Sequence, residues 1–482
     1  MNDIVSEFLW ERGVSLDKLS NENMFDPDLE IYNFKNFIES EDFVLVCDMD
    51  TDGLSAANVV TSYLDVPVFM ISPAQRGFTL DAAKEVVSLY PGKNFLTVDC
   101  GTNSVEAKEY IENAGQRLYV TDHHMPHNSI TEDIYNPKIL HDGFNSHSGS
   151  SIAYLLLESI YGYNSEAIQY AAVGTVADVV PVLEDNRYVI HSGLQEIPRS
   201  PGGKLRQFLS SAGLYIKNEK DISFGLAPLL NSSRRMGKYK LSYDAYINNS
   251  SDKILELKAV NEERKAKVAE AIEIAENTPG YIRFCDDCVF IFHNGYPGIS
   301  GLLASKYSNF GLNAVGISMN TFEIVESGSI RSVAPGVDRF IEWSDSCTGG
   351  GHAYAGGVQI NDEAKFIEDF CEYFNGSTKN LAKRSPDLTG KFEYFISSAI
   401  ELDLLLAPFG AGWPRPLFCS EVSMSDNGTT KSGYKSVMIN NSVRAMVWTK
   451  ENIKIPKKGK ILYEVSYNGP NNRPFVTINQ FL

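Results

Sequence analysis

Acidic side chains at positions 48 to 53 of this 482-residue chain have the spacing of a cation-binding cluster. The segment reads DMDTDG and directly follows the apolar run Phe43 to Val46. Three carboxylates on alternate residues at the end of a buried strand are costly to desolvate unless a cation neutralises them. The segment therefore predicts a metal and phosphate site. An acidic turn facing solvent is the commoner explanation when such a stretch is read alone.

Three further groups of ligand-type residues follow apolar runs in the same way. Asp99 ends the run NFLTV, Asp122, His123 and His124 end the run RLYVT, and Asp178 follows the stretch YAAVGTV. A single Asp after a strand is usually a helix cap or a turn residue. Four separate elements that all end in carboxylate or imidazole groups favour one shared site.

The ligand types indicate which ions the site would hold. Carboxylates suit Mg²⁺ or Mn²⁺, and imidazole shifts the preference toward a transition metal, so we expect two divalent ions, with Mn²⁺ preferred and Mg²⁺ as the other choice. Two ions about 3.5 to 4 Å apart can activate a water and stabilise the entering and leaving oxygens at phosphorus. Asp99 is predicted to bridge the ions because it stands alone on its strand. The other predicted ligands are Asp50, Asp52, His123, Asp178 and, as a ligand or as a support for one, Asp48.

The two remaining residues of these groups are expected to act around the ligands. Asp122 is predicted to orient an imidazole, and His124 is predicted to face the substrate phosphate. All four groups need a framework that brings them together. From Phe43 to His124 short apolar runs alternate with helical spacings, which predicts an α/β domain with a parallel sheet wrapped by helices. Ligands bind outside the carboxyl ends of the strands of such sheets, where these groups fall.

The rest of the chain predicts further domains. Ser251 to Asn277 has the spacing of one long helix, and Pro279-Gly280 would end it. A second α/β domain with a glycine-rich stretch is predicted to follow, and after a Pro- and Gly-rich connection come alternating runs typical of a small β-barrel. We expect a catalytic domain over 1–245, a connecting helix over 246–280, an α/β domain over 281–390, and a linker with an oligonucleotide-binding (OB)-like barrel over 391–482.

Charge is distributed unevenly along the chain. The whole sequence has a formal net charge of −18, whereas residues 431–482 contain nine Lys and Arg against Glu451 and Glu464. A solvated face is the simpler explanation of such a basic run. Together with aromatic residues expected to be exposed among the bases, it favours a barrel that binds single-stranded nucleic acid.

Composition limits where the protein works. No apolar stretch approaches the roughly 20 residues that span a bilayer, and the N-terminus lacks the features of a signal peptide, so no membrane partner and a cytoplasmic location are expected. Seven scattered cysteines predict reduced thiols. A lone CxxC at Cys285 and Cys288 is interpreted as packing.

Four segments occur in an order that resembles the DHH phosphoesterase superfamily: DMDTDG, VDCG, TDHH and GTVADVVP. The wider match is similar to the RecJ-type single-strand exonucleases of that superfamily, and it extends over most of the chain from Arg12 onward. Supporting segments are Asn136-Pro137, SGSSIAY, EDNRYVIHSGL and LAPLLNSSRRMG.

The resemblance also implies a set of substrate-binding residues. The stretch GGGHAYAGG resembles the GGH motif of the DHH-associated domain, and Ser329 to Ser332 resembles a family segment that holds the terminal phosphate. The loop around Arg76 is shorter than usual in the family, and Ser232 to Arg235 replaces small residues before the arginine. The residues expected to bind substrate are Arg76, Arg235, Ser329, Arg331, Gly350, Gly351 and His352.

The function implied by the resemblance is a metal-dependent 5′→3′ exonuclease on single-stranded DNA that releases 5′-mononucleotides in DNA repair or recombination. RNA is a second candidate substrate, a single-strand-binding protein or helicase is a candidate partner, and a monomer is expected. One alternative is a phosphodiesterase for short oligonucleotides or cyclic dinucleotides, because the superfamily contains both. Another is a non-catalytic relative, which is disfavoured because this chain keeps all the predicted ligands.

Overall fold

The computed structural model describes residues 3–15, 19, 22, 25, 30–40, 42–72, 77–140, 146–309, 311–320, 325–377, 385–430, 434–447, 453–467 and 474–482. Within these ranges three β-sheets follow one another along the chain, the first parallel, the second mixed and the third closed into a barrel. The predicted α/β fold class with a C-terminal OB-like barrel is confirmed.

The first sheet has five parallel strands in the order β2-β1-β3-β4-β5. Its central strands are rich in Val, Leu and Phe, and every residue of the first strand is buried, as expected when helices cover both faces. This burial fixes where the strands end, and so where the ligand-type residues begin. The strands are β1 (Phe43–Cys47), β2 (Val68–Met70), β3 (Asn94–Val98), β4 (Leu118–Thr121) and β5 (Ile134–Tyr135).

Thirteen helices within the described ranges surround or extend this sheet, and a π-helical segment, Ile222–Leu226, leads directly into the twelfth. They are α1 (Asp3–Glu11), α2 (Glu30–Ser40), α3 (Thr51–Thr61), α4 (Leu80–Leu89), α5 (Val105–Asn113), α6 (Pro137–Leu140), α7 (Gly149–Tyr161), α8 (Ala167–Ala177), α9 (Glu184–Arg199), α10 (Lys204–Ala212), α11 (Glu219–Asp221), α12 (Ala227–Arg235) and α13 (Lys240–Tyr246).

A 27-residue helix, α14 (Ser251–Asn277), runs from the first sheet's helices to the second sheet, over the residues the sequence predicts. Its first half packs against α10, α12 and α13, and Ala271 and Ala275 pack into the apolar cluster of the second sheet. Its exposed face is lined with Lys and Glu pairs at i,i+3 spacing. The helix therefore packs on a different apolar core at each end.

The second sheet is mixed, with strand order β10-β11-β9-β8-β7-β6, and three helices of this part of the chain pack against it together with the end of α14. The glycine run lies in its edge hairpin, β10–β11. Its elements are β6 (Ile282–Cys285), β7 (Cys288–His293), α15 (Ser300–Ser308), β8 (Asn313–Met319), β9 (Val325–Arg331), α16 (Val337–Trp343), β10 (Cys347–His352), β11 (Ala355–Ile360) and α17 (Glu363–Phe374).

The third sheet closes into a five-stranded barrel because its first long strand pairs with its penultimate one. A helix of 15 residues packs against the strands that make this closure. Phe392 of this helix packs against Tyr463 of the barrel, and Tyr463 also packs against Phe418. The elements are β12 (Leu388–Thr389), α18 (Phe392–Leu406), β13 (Phe418–Thr429), β14 (Lys435–Ile439), β15 (Val443–Val447), β16 (Lys458–Tyr467) and β17 (Pro474–Phe481).

Two expectations about side chains in the last two sheets differ in outcome. Cys285 and Cys288 face each other across the β6–β7 hairpin with Cys371 beside both, in or against the apolar cluster of that sheet, consistent with packing. The expectation of exposed aromatics among the barrel's bases is not met by the described side chains of residues 431–482, because Tyr463 is buried and Tyr434, Phe475 and Phe481 are half-buried. No helix of the described ranges is both long enough and apolar enough to cross a membrane.

Candidate metal centre and phosphate-binding surface

The carboxyl ends of β1, β3 and β4 lie side by side, and the ligand-type residues emerge there. One group brings ligand atoms of Asp48, Asp50 and Asp99 within 4.8 Å of one another. A second group does the same for Asp52, His123 and Asp178. Each group has the composition of a divalent-cation site, with oxygen ligands in the first and oxygen plus imidazole in the second.

Asp99 lies between the two groups. Its Oδ1 is 3.2 Å from Nε2 of His123, which in turn is 3.7 Å from Oδ2 of Asp178. Asp99 is 3% exposed and its backbone is in the left-handed region with φ of 60°. A non-glycine residue in this region costs free energy, and such strain is found chiefly where a functional site holds the residue in place.

Asp50 and Asp52 are fixed by backbone amides. Asp50 is the N-cap of α3 and accepts hydrogen bonds from the amides of Asp52 at 2.9 Å and Gly53 at 3.3 Å. Asp52 accepts from the amides of Gly149 at 2.7 Å and Ser150 at 3.1 Å, at the start of α7. Two short carboxylate side chains on a rigid backbone thus point into the site from one helix turn.

Three glycines make room for these acids. A Cβ on Gly149 would lie 2.5 Å from Cβ of Asp99, and one on Gly174 would lie 2.4 Å from Oδ1 of Asp52. A Cβ on Gly53 would lie 2.6 Å from the carbonyl oxygen of Asp48. Sequence reasoning quoted the segments that contain Gly149 and Gly174 but gave neither residue a role, because close approach between distant segments leaves no local signal.

Asp122 organises a network next to the ligands. Its Oδ2 accepts from the amide of Thr102 at 2.9 Å and from Oγ1 of Thr102 at 2.7 Å. Its Oδ1 lies 2.7 Å from Nδ1 of His124. The buried Asn136 donates to Oγ1 of Thr102 at 2.8 Å and to the His124 carbonyl at 2.9 Å. Asp122 therefore holds the ring of His124, and sequence reasoning missed Thr102 and the role of Asn136.

This network sets the charge of two groups. Although burial raises it, the cationic ring of His124 and the hydrogen bonds hold the pKa of Asp122 well below its usual range. Burial lowers the pKa of His124, but the adjacent Asp122 carboxylate outweighs burial and raises it to about 9. His124 is thus a cation at neutral pH, with a side chain that is 41% exposed.

The ligand carboxylates have the opposite character. Burial, followed by the neighbouring Asp50 charge, raises the pKa of Asp48 to about 6. Burial also raises the pKa of Asp52 to about 6, with the Asp50 charge as a further cause. The pKa values of Asp99 and Asp178 are raised well above the usual range by burial and by the surrounding carboxylates. Without a cation, these carboxylates repel one another when they are ionised.

The donor set fits divalent ions. Oδ1 of Asp99 is buried and accepts no hydrogen bond from the described residues, so a ligand atom of the bridging candidate is left for a cation. Two atoms bound to one ion at about 2.1 Å are about 3 Å apart, and the 3.2 Å between Asp99 and His123 matches this spacing. These acidic and imidazole groups could therefore bind metal.

Three cationic side chains, Arg234, Arg235 and Arg331, lie close to one another and near the acidic groups. Burial, followed by the charges of Arg234 and Arg331, lowers the pKa of Arg235 to about 9. Burial and the Arg234 charge also lower the pKa of Arg331. The same Arg234 charge lowers the pKa of Asp48, so Arg234 lies close enough to act on both the acidic groups and Arg331. Sequence reasoning chose Arg235 and missed Arg234.

Arg235 also touches the second sheet's part of the chain. Its guanidinium donates to the Gly298 carbonyl at 3.1 Å, and a Cβ on Gly298 would lie 2.4 Å from the Arg235 carbonyl oxygen. Arg331 donates to Oγ of Ser329 at 3.2 Å. The predicted residues Arg235, Ser329 and Arg331 therefore come together at the junction of the two sheets. Arg76 lies outside the described residues.

The glycine hairpin leaves an open face beside Ser329. Gly350 pairs with Gly357, which pairs with Ser329, so these three residues form one row on one face of the sheet. A Cβ on Gly350 or Gly357 would have nothing within 4 Å, so this part of the face is open. Gly351 is exposed on the neighbouring position, and the backbone of His352 ends β10.

Comparisons with known proteins agree with this architecture. Residues 42–179 match the family model described as DHH family, N-terminal domain. The matched range contains Asp48 through Asp178, and so every residue of the two acidic groups. The resemblance to DHH proteins inferred from the sequence is confirmed.

Relatives named "Single-stranded-DNA-specific exonuclease RecJ" match most of the chain. The Thermus thermophilus protein is 27% identical over 451 residues, which cover 88% of this chain and 66% of the relative. The Haemophilus influenzae protein is 24% identical, covering 91% of this chain and 83% of the relative. The Bacillus subtilis protein is 25% identical, and the match covers 84% of this chain and 55% of the relative. The chain thus spans about two thirds or less of the Thermus and Bacillus proteins.

A crystal structure of Thermus thermophilus RecJ in complex with Mn²⁺ has the same fold. It superposes with a TM-score of 0.77 at 23% identity and covers 99% of this chain and 75% of that one. A structure of the same protein with Mg²⁺ gives a TM-score of 0.73 at 20% identity, covering 99% and 74%. The arrangement of two α/β parts and a barrel is therefore shared with RecJ.

Proposed function

We propose, from the premise that residues 42–179 form a DHH domain, that this chain is a two-metal nuclease that degrades single-stranded DNA from its 5′ end and releases 5′-mononucleotides. The observation that carries the proposal is the position of Asp99 between the Asp48/Asp50 group and the Asp52/His123/Asp178 group. The names of the relatives support the substrate and the class of reaction.

When bound, two divalent ions supply the charge that activates a water and neutralises the leaving oxygen. Asp48, Asp50 and Asp99 would hold one ion, and Asp52, His123 and Asp178, together with Asp99, would hold the other. Mn²⁺ is the preferred ion because imidazole takes part, and Mg²⁺ is the alternative. The amides at the starts of α3 and α7 keep Asp50 and Asp52 in place as charge develops.

His124 acts on the substrate side of the ions. Its ring is held by Asp122 through Nδ1 and stays cationic, so the exposed part of the ring can donate to a non-bridging phosphate oxygen. A cation in this position binds the phosphate more tightly as negative charge builds up on its oxygens. Asp122 is the positioning residue that makes this possible.

These cationic side chains support the polarity that we propose. Arg331 with Ser329 would hold the 5′-phosphate, and the open row of Gly357 and Gly350 would leave room for the terminal nucleotide. The Arg234 charge acts on both Arg331 and Asp48, so we expect the first phosphodiester bond beyond the anchor to lie near the metal groups. Cutting there releases one nucleotide at a time.

The test is digestion of single-stranded and duplex oligonucleotides with Mn²⁺, each labelled at either its 5′ or its 3′ end. We expect 5′-mononucleotides from the 5′ end of single strands and slow attack on blunt duplex. Release from the 3′ end, or equal rates on duplex, would contradict the polarity and the strand selectivity. An RNA strand of the same sequence determines whether the 2′-hydroxyl is tolerated.

The 5′-phosphate anchor has its own test in an Arg331→Gln variant. We expect the KM for 5′-phosphorylated strands to rise about tenfold or more, the scale of losing one charged phosphate contact, with a smaller change for 5′-hydroxyl strands. The matched control is Arg339→Gln, a nearby arginine on α16 that the proposal does not use. Equal effects on the two kinds of strand would remove Arg331 from the anchor.

A further inference from the structure

Asp178 differs from the proposed ligands Asp50 and Asp52 in what holds it. The carboxylates of Asp50 and Asp52 both accept hydrogen bonds from backbone amides. Among the described residues no hydrogen bond reaches the Asp178 carboxylate, and Asp178 is held through its own amide, which donates to Gly174 at 2.9 Å as the C-cap of α8. The direction of this carboxylate therefore depends on the backbone that leaves the helix.

The backbone that follows is strained. Val179 has φ of 62°, in the left-handed region that a β-branched residue rarely adopts, and its side chain is 70% exposed, so its own packing does not hold it. A strained residue persists only when the surrounding structure fixes it. The next fixed points along the chain are Pro181 and Val182.

Both points are held by the connection that leads to the barrel. The Val182 amide donates to the Ala411 carbonyl at 2.9 Å. A Cβ on Gly410 would lie 2.5 Å from Cγ2 of Val182, and one on Gly412 would lie 3.1 Å from Cβ of Pro181, so this turn packs directly on the segment. Gly412 has φ of 67°, which favours glycine at this position.

The turn itself is rigidly built. Gly410 and Trp413 exchange backbone hydrogen bonds at 2.9 and 3.2 Å, and Nε1 of the buried Trp413 donates to Leu406 at 3.0 Å. From the other side, Asn186 donates to the Pro181 carbonyl at 3.0 Å and accepts from Ser151 on α7 at 3.2 Å. The segment after Asp178 is thus clamped between α7 and α9 on the inside and the turn on the outside.

We infer that the turn Gly410 to Trp413 is a positioning element of the metal centre, which fixes Pro181 and Val182 and thereby aims the Asp178 carboxylate at its ion. The inference rests on the proposed role of Asp178 as a ligand. It gives the connection a second task besides joining the barrel to the catalytic part. It also means that a disturbance of the turn reaches the metal centre even when the substrate is too short to touch the barrel.

The test changes the sizes of the side chains at positions 410 and 182, first singly and then together. The measured quantity is the affinity for Mn²⁺, obtained from the EPR signal of free Mn²⁺ in the absence of nucleic acid. Gly410→Ala places a methyl group against Val182, and Val182→Ala removes the packing, so each alone should weaken Mn²⁺ binding, by about tenfold at the lower end of the range for groups that orient ligands. The double variant refills the space and should recover most of the affinity.

Two controls separate this inference from the proposed function. Gly459→Ala on the barrel adds a methyl group whose neighbours are 3.9 Å away, and it should leave Mn²⁺ affinity unchanged. Asp178→Asn should lose affinity for one of two ions. If Asp178→Asn binds Mn²⁺ as the wild type does, the ligand assignment and this inference both fail. If Asp178→Asn loses Mn²⁺ but Gly410→Ala does not, or the double variant shows no recovery, only the inference fails. Val182→Ala gives the answer if Gly410→Ala does not fold.

Discussion

At the scale of single residues, the site is a set of buried and half-buried carboxylates whose charges repel one another. Asp48, Asp52, Asp99 and Asp178 all have raised pKa values because they are buried and because each adds to the negative potential of the others. A protein keeps such an arrangement at a cost in stability, and a bound cation reverses the sign of the interaction. Stability and activity should therefore respond in opposite directions to removal of a carboxylate.

We predict this opposition for Asp99→Asn. The amide keeps the shape of the side chain but removes the charge between the two groups, so nuclease activity with Mn²⁺ should fall by at least about a hundredfold. In EDTA the same variant should melt at a higher temperature than the wild type, because burial and repulsion no longer penalise a charge there. Activity close to the wild-type level, or a lower melting temperature in EDTA, would contradict the assignment.

The pH dependence of metal-free stability should report Asp48. Its folded pKa of about 6 is above the value of about 3.9 for an unfolded chain, so the folded state binds the proton more tightly. The stability that this proton contributes is complete below about pH 4 and is lost as the pH rises through 6. In EDTA, the melting temperature of the wild type minus that of Asp48→Asn should therefore decrease as the pH rises over this window.

Saturating Mn²⁺ provides the control for that measurement. A cation favours the ionised carboxylate, so the difference between wild type and Asp48→Asn should then increase with pH. A difference that stays flat without metal would mean that Asp48 titrates normally.

At the scale of elements, the first turns of two helices do the positioning. The N-terminus of α3 carries Asp50 and Asp52, and the N-terminus of α7 supplies the Gly149 and Ser150 amides that bind Asp52. Amide donors at a helix start suit a carboxylate because they are unpaired within the helix and carry its positive partial charge. The strand ends bring the ligands to one edge, and these helix starts give them their directions.

We predict that Gly149→Ala damages the site although alanine is the better helix former. Its Cβ would meet Cβ of Asp99 at 2.5 Å, so Asp99 must move, and kcat should fall by about 10- to 100-fold because a shift of about 1 Å at a reacting centre has that effect. Gly202→Ala is the matched control, since its Cβ has nothing within 4 Å. Equal kcat values for the two variants would refute the close approach.

At the scale of the whole molecule, the barrel shares one apolar core with the first sheet and its helices. A single cluster of buried residues runs from Ile4 through Leu45 and Trp413 to Ile478. The fully buried Arg187 on α9 donates to the carbonyls of Leu406, Ala407 and Pro408, at 3.1, 2.7 and 3.1 Å. Removing the barrel after about Ala407 would expose this core, so deletion is a poor test of what the barrel binds.

Two further arginines form ion pairs at the junction between the barrel and the helices of the first sheet. Arg12 forms an ion pair with Asp387 at 2.8 Å and donates to the Pro414 carbonyl at 2.7 Å. The buried Arg415 pairs with Glu219 at 3.0 Å and Asp403 at 2.5 Å. Buried ion pairs are weak evidence for stability, because the cost of removing both charges from water offsets their attraction. These two arginines therefore add polar contacts to a junction that is held chiefly by the shared apolar core.

Charge neutralisation on the barrel surface is the sharper test of nucleic-acid binding. Lys454, Lys457 and Lys460 are exposed, whereas Lys435 is buried against Asp426 at 2.6 Å and serves the fold. Changing the three exposed lysines to Gln should weaken binding of long single strands and reduce the slope of log K against log salt by about 2. The rate on strands of two or three nucleotides should not change.

The matched control changes three lysines on α14 to Gln, namely Lys253, Lys265 and Lys267, whose side chains are 44%, 55% and 42% exposed. This variant has the same net charge but no altered barrel, so long-strand binding should stay close to that of the wild type. Equal weakening by both triple variants would show that net charge acts, and that the barrel is not a specific binding surface.

The sequence by itself determined the parallel sheet, the long helix over Ser251–Asn277 and the ligand types at the strand ends, because apolar periodicity and strand-end position are local properties of the chain. It also led to the resemblance to DHH domains, since four short segments in fixed order are visible without a structure. It could not show that Asp122 turns toward His124, or that the Arg234 charge acts on both Asp48 and Arg331. Those facts depend on side-chain directions at the junction of separate elements.

Only the tertiary structure decided which acids come together and what holds them. Asp48 joins Asp50 and Asp99, while Asp52 joins His123 and Asp178, because the strand order places β1 beside β3 and α7 across from α3. Gly149, Gly174 and Gly410 became informative for the same reason. Each permits a close approach between segments far apart in the chain, and such contacts have no pattern in a linear sequence.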